Sequence, residues 1–436
     1  MLRSINPIYS PESISFQNDA FHKSMTAIVE QYRGSWSAQS QTEFEIAIAE
    51  CIKDYTNMNF TIGIGDVPMS TEIPHIDQSS PLLEGYGWKP STLSKQSLSD
   101  VRKNRDKEVR GLLDPNTSYV HGYFAELPPT RMYLNAAMIY GNSGLLYKLF
   151  DGRKYTSGEI SAAILHEAGH VYTFFDFLVR FRTTNQIMAT MVRQLDGTED
   201  HGKREIIIKE ASDMMELGFV DAQNLSTKNN TTVYTVFVST IARFNRSQSG
   251  NHGYDINSFE AMADQFATRH GAGRDLVTGL DKMHKGTIYR RGWVGYFFME
   301  FVKIAFTLLG IFELSHGDFL GAWTTFGIVL SLVFSDAHHD WYDKAGYRFK
   351  RVRMQLVEEL KNPNTSKEDS ARIRADIDLI DKTNEKYKDH TQLIGLVYDY
   401  LIPTGVAKRK QIEFEQRLEE MASNKLFYYA NHLQHV

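Results

Sequence analysis

The chain has 436 residues, a formal net charge of -5 and a single cysteine, Cys51. Hydrophobic residues make up 42% and charged residues 23%, ordinary globular values, so a core of normal size is within reach. The acidic balance argues against a nucleic-acid binder, which carries a basic excess, and one cysteine excludes an internal disulfide and any cysteine-rich metal site.

The opening "MLRSINPIYSPESISFQNDAF" has no apolar run and no small-residue cleavage site, so the chain reads as cytoplasmic rather than secreted, in keeping with its cysteine usage. Length predicts two or three domains, and texture suggests where the chain divides: a mixed region over 1–110, a central region over 111–292, a hydrophobic helical hairpin over 293–335 and a C-terminal helical region over 336–436. Within the first, "TEFEIAIAECIKDY" (42–55) has helical spacing and "NFTIGIGDVP" reads as a short strand stopped by Pro68. Residues 70–100 read as a long loop, and "SDVRKNRDKEVRGLL" as a charged helix. "SYVHGYFAELPPTRMYLNAAMIYG" contains two strand-like runs around Pro128 and Pro129.

A capping box then opens a helix: Thr156 as N-cap with Glu159 three residues on. That helix is expected to run to about Arg180. A polar break over 224–232 precedes the apolar run "VYTVFVSTIARF", and a loop over 245–258 leads to a helix with Ser258 as N-cap. Beyond the hairpin, the segments "SKEDSARIRADIDLIDKTNEKYKDH" and "AKRKQIEFEQRLEEM" are amphipathic, with breaks at Pro363 and Pro403. These C-terminal helices are expected to dock on the 111–292 region or to bind a protein partner.

The capped helix carries "HEAGH": His166, Glu167 and His170 inside an apolar run. Positions four apart share a helix face, so both imidazoles can reach one cation. Glu167 is turned about 100° from His166, which sets its carboxylate beside the cation, where it can take a proton from an activated water. A catalytic zinc wants three protein ligands and an open position. Asp176, His201, His252 and His270 are candidates for the third, but Asp176 stands about 240° around an unbroken helix from His170. The remaining candidate is Glu260, with Asp264 four residues on, on a helix otherwise rich in small and apolar residues. Glu260 would complete a His, His, Glu set. Asp264 can accept the outer N–H of a ligand imidazole, fixing its tautomer.

HExxH followed by E-x-x-A-D resembles the gluzincin metallopeptidases, nearest the membrane-bound heat-shock and CAAX-prenyl proteases, over roughly 120–285. The resemblance implies a zincin-like catalytic domain with a small edge sheet within a mainly α, α+β chain, and one zinc ion per chain. It implies a polypeptide substrate. "LNAAMIYGNSGLLYKL" (134–149) is similar to the family's edge strand, which implies that Asn135 and Ala136 pair with substrate backbone. "DAHHDWYDKAGYRFKRVR" is similar to a late substrate-proximal segment through His339 and Arg348, although the family's proline after the histidine is missing. For the oxyanion stabiliser, His338, His339, Tyr342 and Arg348 remain open. The bland alternatives are a buried helix with satisfied polar groups, a relative that binds zinc and cleaves nothing, and a structural or membrane-associated interaction protein with a zinc staple.

Trp293 to Leu314 is as long as a membrane span, which takes about 20 apolar residues. Glu300 and Lys303 interrupt it, which speaks for a core or partner-binding hairpin. Arg290 and Arg291 before the hairpin, Lys344 to Arg353 after it, and a "SHGD" turn without Lys or Arg match the layout for a membrane anchor with both ends in the cytoplasm. That layout tips the expectation towards membrane association through 293–334.

Overall fold

In the computed structural model, the helix opened by Thr156 spans Ser157–Asp196, well past Arg180. Thr156 and Glu159 form the capping box, and the Glu159 carboxylate also takes Lys282 Nζ at 2.6 Å. The polar stretch after Arg180 does not end the helix, which keeps an apolar face buried while its polar side chains bond back one turn. Thr183 Oγ1 donates to the Val179 carbonyl and Asn185 Nδ2 to that of Phe181, while Ile187, Met188, Met191 and Leu195 bury an apolar face. The structure describes residues 14–33, 37–65, 67–73, 97–103, 112–140, 155–215, 217, 220–249, 256–285, 292–339, 345–362 and 365–385.

Before that helix come α1 (Ala20–Tyr32) and α2 (Ala38–Thr56), the latter capped by Ser37 and Ser40 and ended by Asn57 in the left-handed conformation. Among the described residues, five strands follow: β1 (Phe60–Gly65), β2 (Ser70–Thr71), β3 (Leu113–Asp114), β4 (Tyr119–Val120) and β5 (Thr130–Asn135). β5 lies between β1, parallel from Phe60↔Thr130 to Gly65↔Asn135, and β2, antiparallel through Ser70↔Tyr133 and Thr71↔Met132. Phe60, Ile62, Met132 and Leu134 are buried at every second position, as a strand with one core face requires. The expected loop over 70–100 thus contributes β2, and a helical turn begins at Leu98. The expected edge strand over 134–149 does not form in the described residues. Ala136–Tyr140 is a short helix, α3, and 141–154 lie outside them.

After the long helix, α4, come α5 (His201–Met214), α6 (Ala222–Ser226) and α7 (Asn230–Ser249). Ile208, Ala211, Val233, Phe237 and Ile241 form a second core against the C-terminal half of α4. Buried Arg204 ties this bundle together through the carbonyls of Leu195, Thr198, Ser226 and Lys228. Then α8 (Ile256–Ala267) begins two residues before Ser258, so Ser258 lies in its first turn. A π-helical turn over Thr268–Ala272 joins it to α9 (Gly273–Lys285).

The hydrophobic segment folds as two helices packed on each other, α10 (Gly292–Ser315) and α11 (Phe319–His339). The expectation of a membrane span is corrected here: among the described residues, no helix is long and apolar enough to cross a membrane. Charged residues interrupt the first apolar run and bound the second. Glu300, Lys303 and Glu313 punctuate the first helix, and the second meets Asp336, His338 and His339 after its apolar part. Two of those charges are used within the hairpin region: Lys303 is buried and Glu313 accepts from Thr325 Oγ1 at 2.8 Å. Leu320 and Trp323 are exposed on the outside.

Next, α12 (Ala345–Leu360) returns to pack on α8 and α9, and α13 (Lys367–Glu385) closes the described chain. Residues Met1–Thr383 group as one compact unit and Asn384–Val436 as another. The amphipathic segment at 407–421 lies outside the described residues.

Candidate metal centre

The site is built where α4 and α8 touch. Gly169 makes that approach close: a Cβ there would lie 2.9 Å from both Ala263 Cα and Phe266 Cβ. The backbones therefore meet at the point where α4 carries His166 and His170 and α8 carries Glu260 and Asp264. Gly169→Val is expected to overpack this contact and cost about 2 kcal/mol or more of stability, read by urea denaturation, despite the better helix propensity of valine.

Nε2 of His166 is 3.2 Å from Glu260 Oε2, and Nε2 of His170 is 3.6 Å from Glu260 Oε1. The two rings are nearly perpendicular, with centroids 4.7 Å apart. Donor atoms of His166, Glu167 and His170 also lie within 4.8 Å of one another. Bonds of about 2.0–2.2 Å to a tetrahedral ion place its ligand atoms about 3.3–3.5 Å apart, close to both Glu260 distances. The residues present fit zinc by donor type, and each imidazole Nε2 lies near one oxygen of Glu260.

Around this set the charges are matched. Arg348, from α12, donates Nε to Asp264 Oδ2 at 2.9 Å and Nη2 to Oδ1 at 2.6 Å, and its Nη1 lies 3.3 Å from Glu260 Oε2. Asp264 Oδ1 is also 2.9 Å from His166 Nδ1, a close contact without an aligned hydrogen bond. All four side chains are buried. Burial pushes Glu260 up, but His166 and Arg348 outweigh it and hold its pKa down to about 2. Asp264 is likewise lowered, burial being overcome chiefly by Arg348 and then His166. Burial disfavours the His166 imidazolium, yet Asp264 and Glu260 raise its pKa to about 10. For His170, burial and the neighbouring His166 charge win, lowering it to about 4.

Glu167 differs from the other two acids. Burial raises its pKa above the ordinary 4.5, reinforced by Glu260 and opposed by His166, Thr71 and Arg348. Its Oε2 accepts from Thr71 Oγ1 at 2.9 Å.

The other candidates lie elsewhere. Asp176 pairs with Arg180 at 2.9 Å, one turn along α4. His201 contacts the Ser226 carbonyl at the start of α5. His270 is buried in the π-helical turn against Phe21 and Phe266, and that burial pushes its pKa down to about 3. His252 and Tyr342 lie outside the described residues, as do the side chains of His338 and His339. Asn135 ends the central strand β5, where its side chain donates to the Val67 carbonyl and accepts from the Met138 N–H; Ala136 starts α3. Arg348, expected near substrate, is engaged with Asp264 and Glu260. Sequence reasoning did not find Thr71, whose contact with Glu167 spans 96 positions and carries no local signal.

The chain matches no protein-family model, no curated protein and no solved structure, so the reading of the site rests on its own geometry.

Proposed function

We propose that the chain is a zinc-dependent endopeptidase with a zincin-like catalytic domain. The observation that carries the reading is that His166, Glu167 and His170 bring their ligand atoms within 4.8 Å of one another, with a different Glu260 oxygen 3.2 Å from His166 Nε2 and 3.6 Å from His170 Nε2. His166, His170 and Glu260 would hold the zinc. Bound there, zinc supplies Lewis-acid polarisation of a carbonyl and makes water acidic near neutral pH.

The rest is done by the chain's own groups. The Glu167 carboxylate accepts the proton of the attacking water and passes it to the nitrogen of the departing amine. Its raised pKa suits both halves of that transfer, because a base poised closer to neutrality also serves as an acid. Asp264 places a negative charge 2.9 Å behind His166 Nδ1, and Arg348 fixes Asp264 while neutralising part of the charge on Glu260. Close packing of α4 on α8 holds the acids and imidazoles in register.

The test uses purified full-length protein and an unstructured polypeptide such as casein. Cleavage is expected to stop when the metal is removed by a chelator and to return when zinc is added back. Cleavage unchanged by chelation contradicts a metallopeptidase. Zinc binding without any cleavage across such substrates assigns the ion a structural role.

A further inference from the structure

We propose that Thr71 is the positioning residue for the Glu167 carboxylate, an inference that rests on the peptidase reading above. Thr71 sits on β2, two residues long, at the edge of the three-stranded sheet. Its register is set by β5: Thr71 faces Met132, and the next amide, of Glu72, donates to the Arg131 carbonyl. The sheet thus delivers a hydroxyl to α4 from a point 96 positions away in the chain.

That hydroxyl meets Glu167 twice. It is 2.9 Å from the side-chain Oε2 and 3.3 Å from the main-chain carbonyl of the same residue. The shorter contact is with the carboxylate. A hydroxyl that served only to clip β2 to the helix would need the carbonyl alone. With Oε2 engaged, the carboxylate plane is set and Oε1 is left to receive a proton. A glutamate has three side-chain torsions, and a base displaced by about 1 Å from its working position loses on the order of 100-fold in rate. Burial of Glu167 restricts its surroundings, but Thr71 is the uncharged side chain that donates to its carboxylate in the described residues.

Thr71→Val keeps the shape and removes the hydroxyl; Thr71→Ser keeps the hydroxyl. In Thr71→Val, zinc content and melting temperature are expected to stay at wild-type values. Its kcat is expected to fall about 10–100-fold, with KM within about threefold. Thr71→Ser should recover most of the rate, and Thr71→Val should add nothing to the loss already caused by Glu167→Gln. A second readout needs no turnover: acetohydroxamate, which gives up its O–H proton on binding, is titrated into the zinc-loaded proteins by calorimetry. Its affinity should fall about tenfold in Thr71→Val and recover in Thr71→Ser. Wild-type kcat and wild-type hydroxamate affinity in Thr71→Val overturn the inference. So does loss of zinc and of melting temperature in Thr71→Val, which makes Thr71 a structural clip. If the wild-type protein binds zinc and cleaves nothing, the peptidase reading fails, and the hydroxamate titration still decides whether Thr71 holds Glu167.

Discussion

Glu167→Gln is expected to keep its zinc and lose cleavage by about 100- to 10,000-fold, the range that general-base removal commands. The amide has the size of the acid and still accepts from Thr71 Oγ1, so the packing around it need not change. What it cannot do is take up a proton. The ligand set of His166, His170 and Glu260 is untouched, so metal content measured by mass spectrometry should match the wild type. The comparison separates two readings of the same motif. A structural zinc would tolerate the substitution with no functional trace, whereas a peptidase would hold its metal and stop. Cleavage at the wild-type rate removes Glu167 from the base role.

Arg348→Leu is expected to be the most destabilising substitution at the site. It leaves Asp264 and Glu260 as buried carboxylates without the guanidinium they share. Breaking a buried ion pair from one side costs about 3–5 kcal/mol. The sign follows from the acids: both have lowered pKa values in the folded chain. Their favourable contribution is present above the unfolded carboxylate pKa and lost as pH falls through the folded values. Without Arg348 those folded values rise, and the loss moves towards neutral pH. Arg348→Lys should rescue little, because an ammonium cannot reproduce the two-pronged contact with Asp264. Added zinc should restore part of the stability by returning positive charge beside Glu260. Urea denaturation with and without zinc measures both effects, and an unchanged midpoint in the metal-free variant contradicts this account of the charges.

These two residues mark the boundary of what could be read from the chain. The helix bearing His166 and His170 was legible because its information is local: a capping box at one end and two histidines on one face. Glu260 and Asp264 were legible for a similar reason, as two acids one turn apart on a helix of small and apolar residues. Arg348 stands 84 positions beyond Asp264, after the hydrophobic hairpin, among other basic residues that look the same in sequence. Thr71 lies in a two-residue strand too short to leave a periodic pattern. The extent of α4 was set too short at Arg180: the helix runs on to Asp196, its apolar face buried through Leu195 and its Thr183 and Asn185 side chains bonded back one turn. The hairpin was legible as two paired helices, but charge layout around it outweighed the charges within it, and the membrane expectation did not survive. For Arg348 and Thr71 the missing information is a partner distant in sequence.

The most direct test of the central claim is the zinc K-edge absorption spectrum of purified protein, taken beside metal content for the wild type and Glu260→Gln. Expected are about one zinc per chain, a first shell of nitrogen and oxygen at about 2.0–2.2 Å without sulfur, and a marked loss of metal in the variant. A protein that holds no zinc, or whose zinc content and first shell are the same in Glu260→Gln, contradicts the claim.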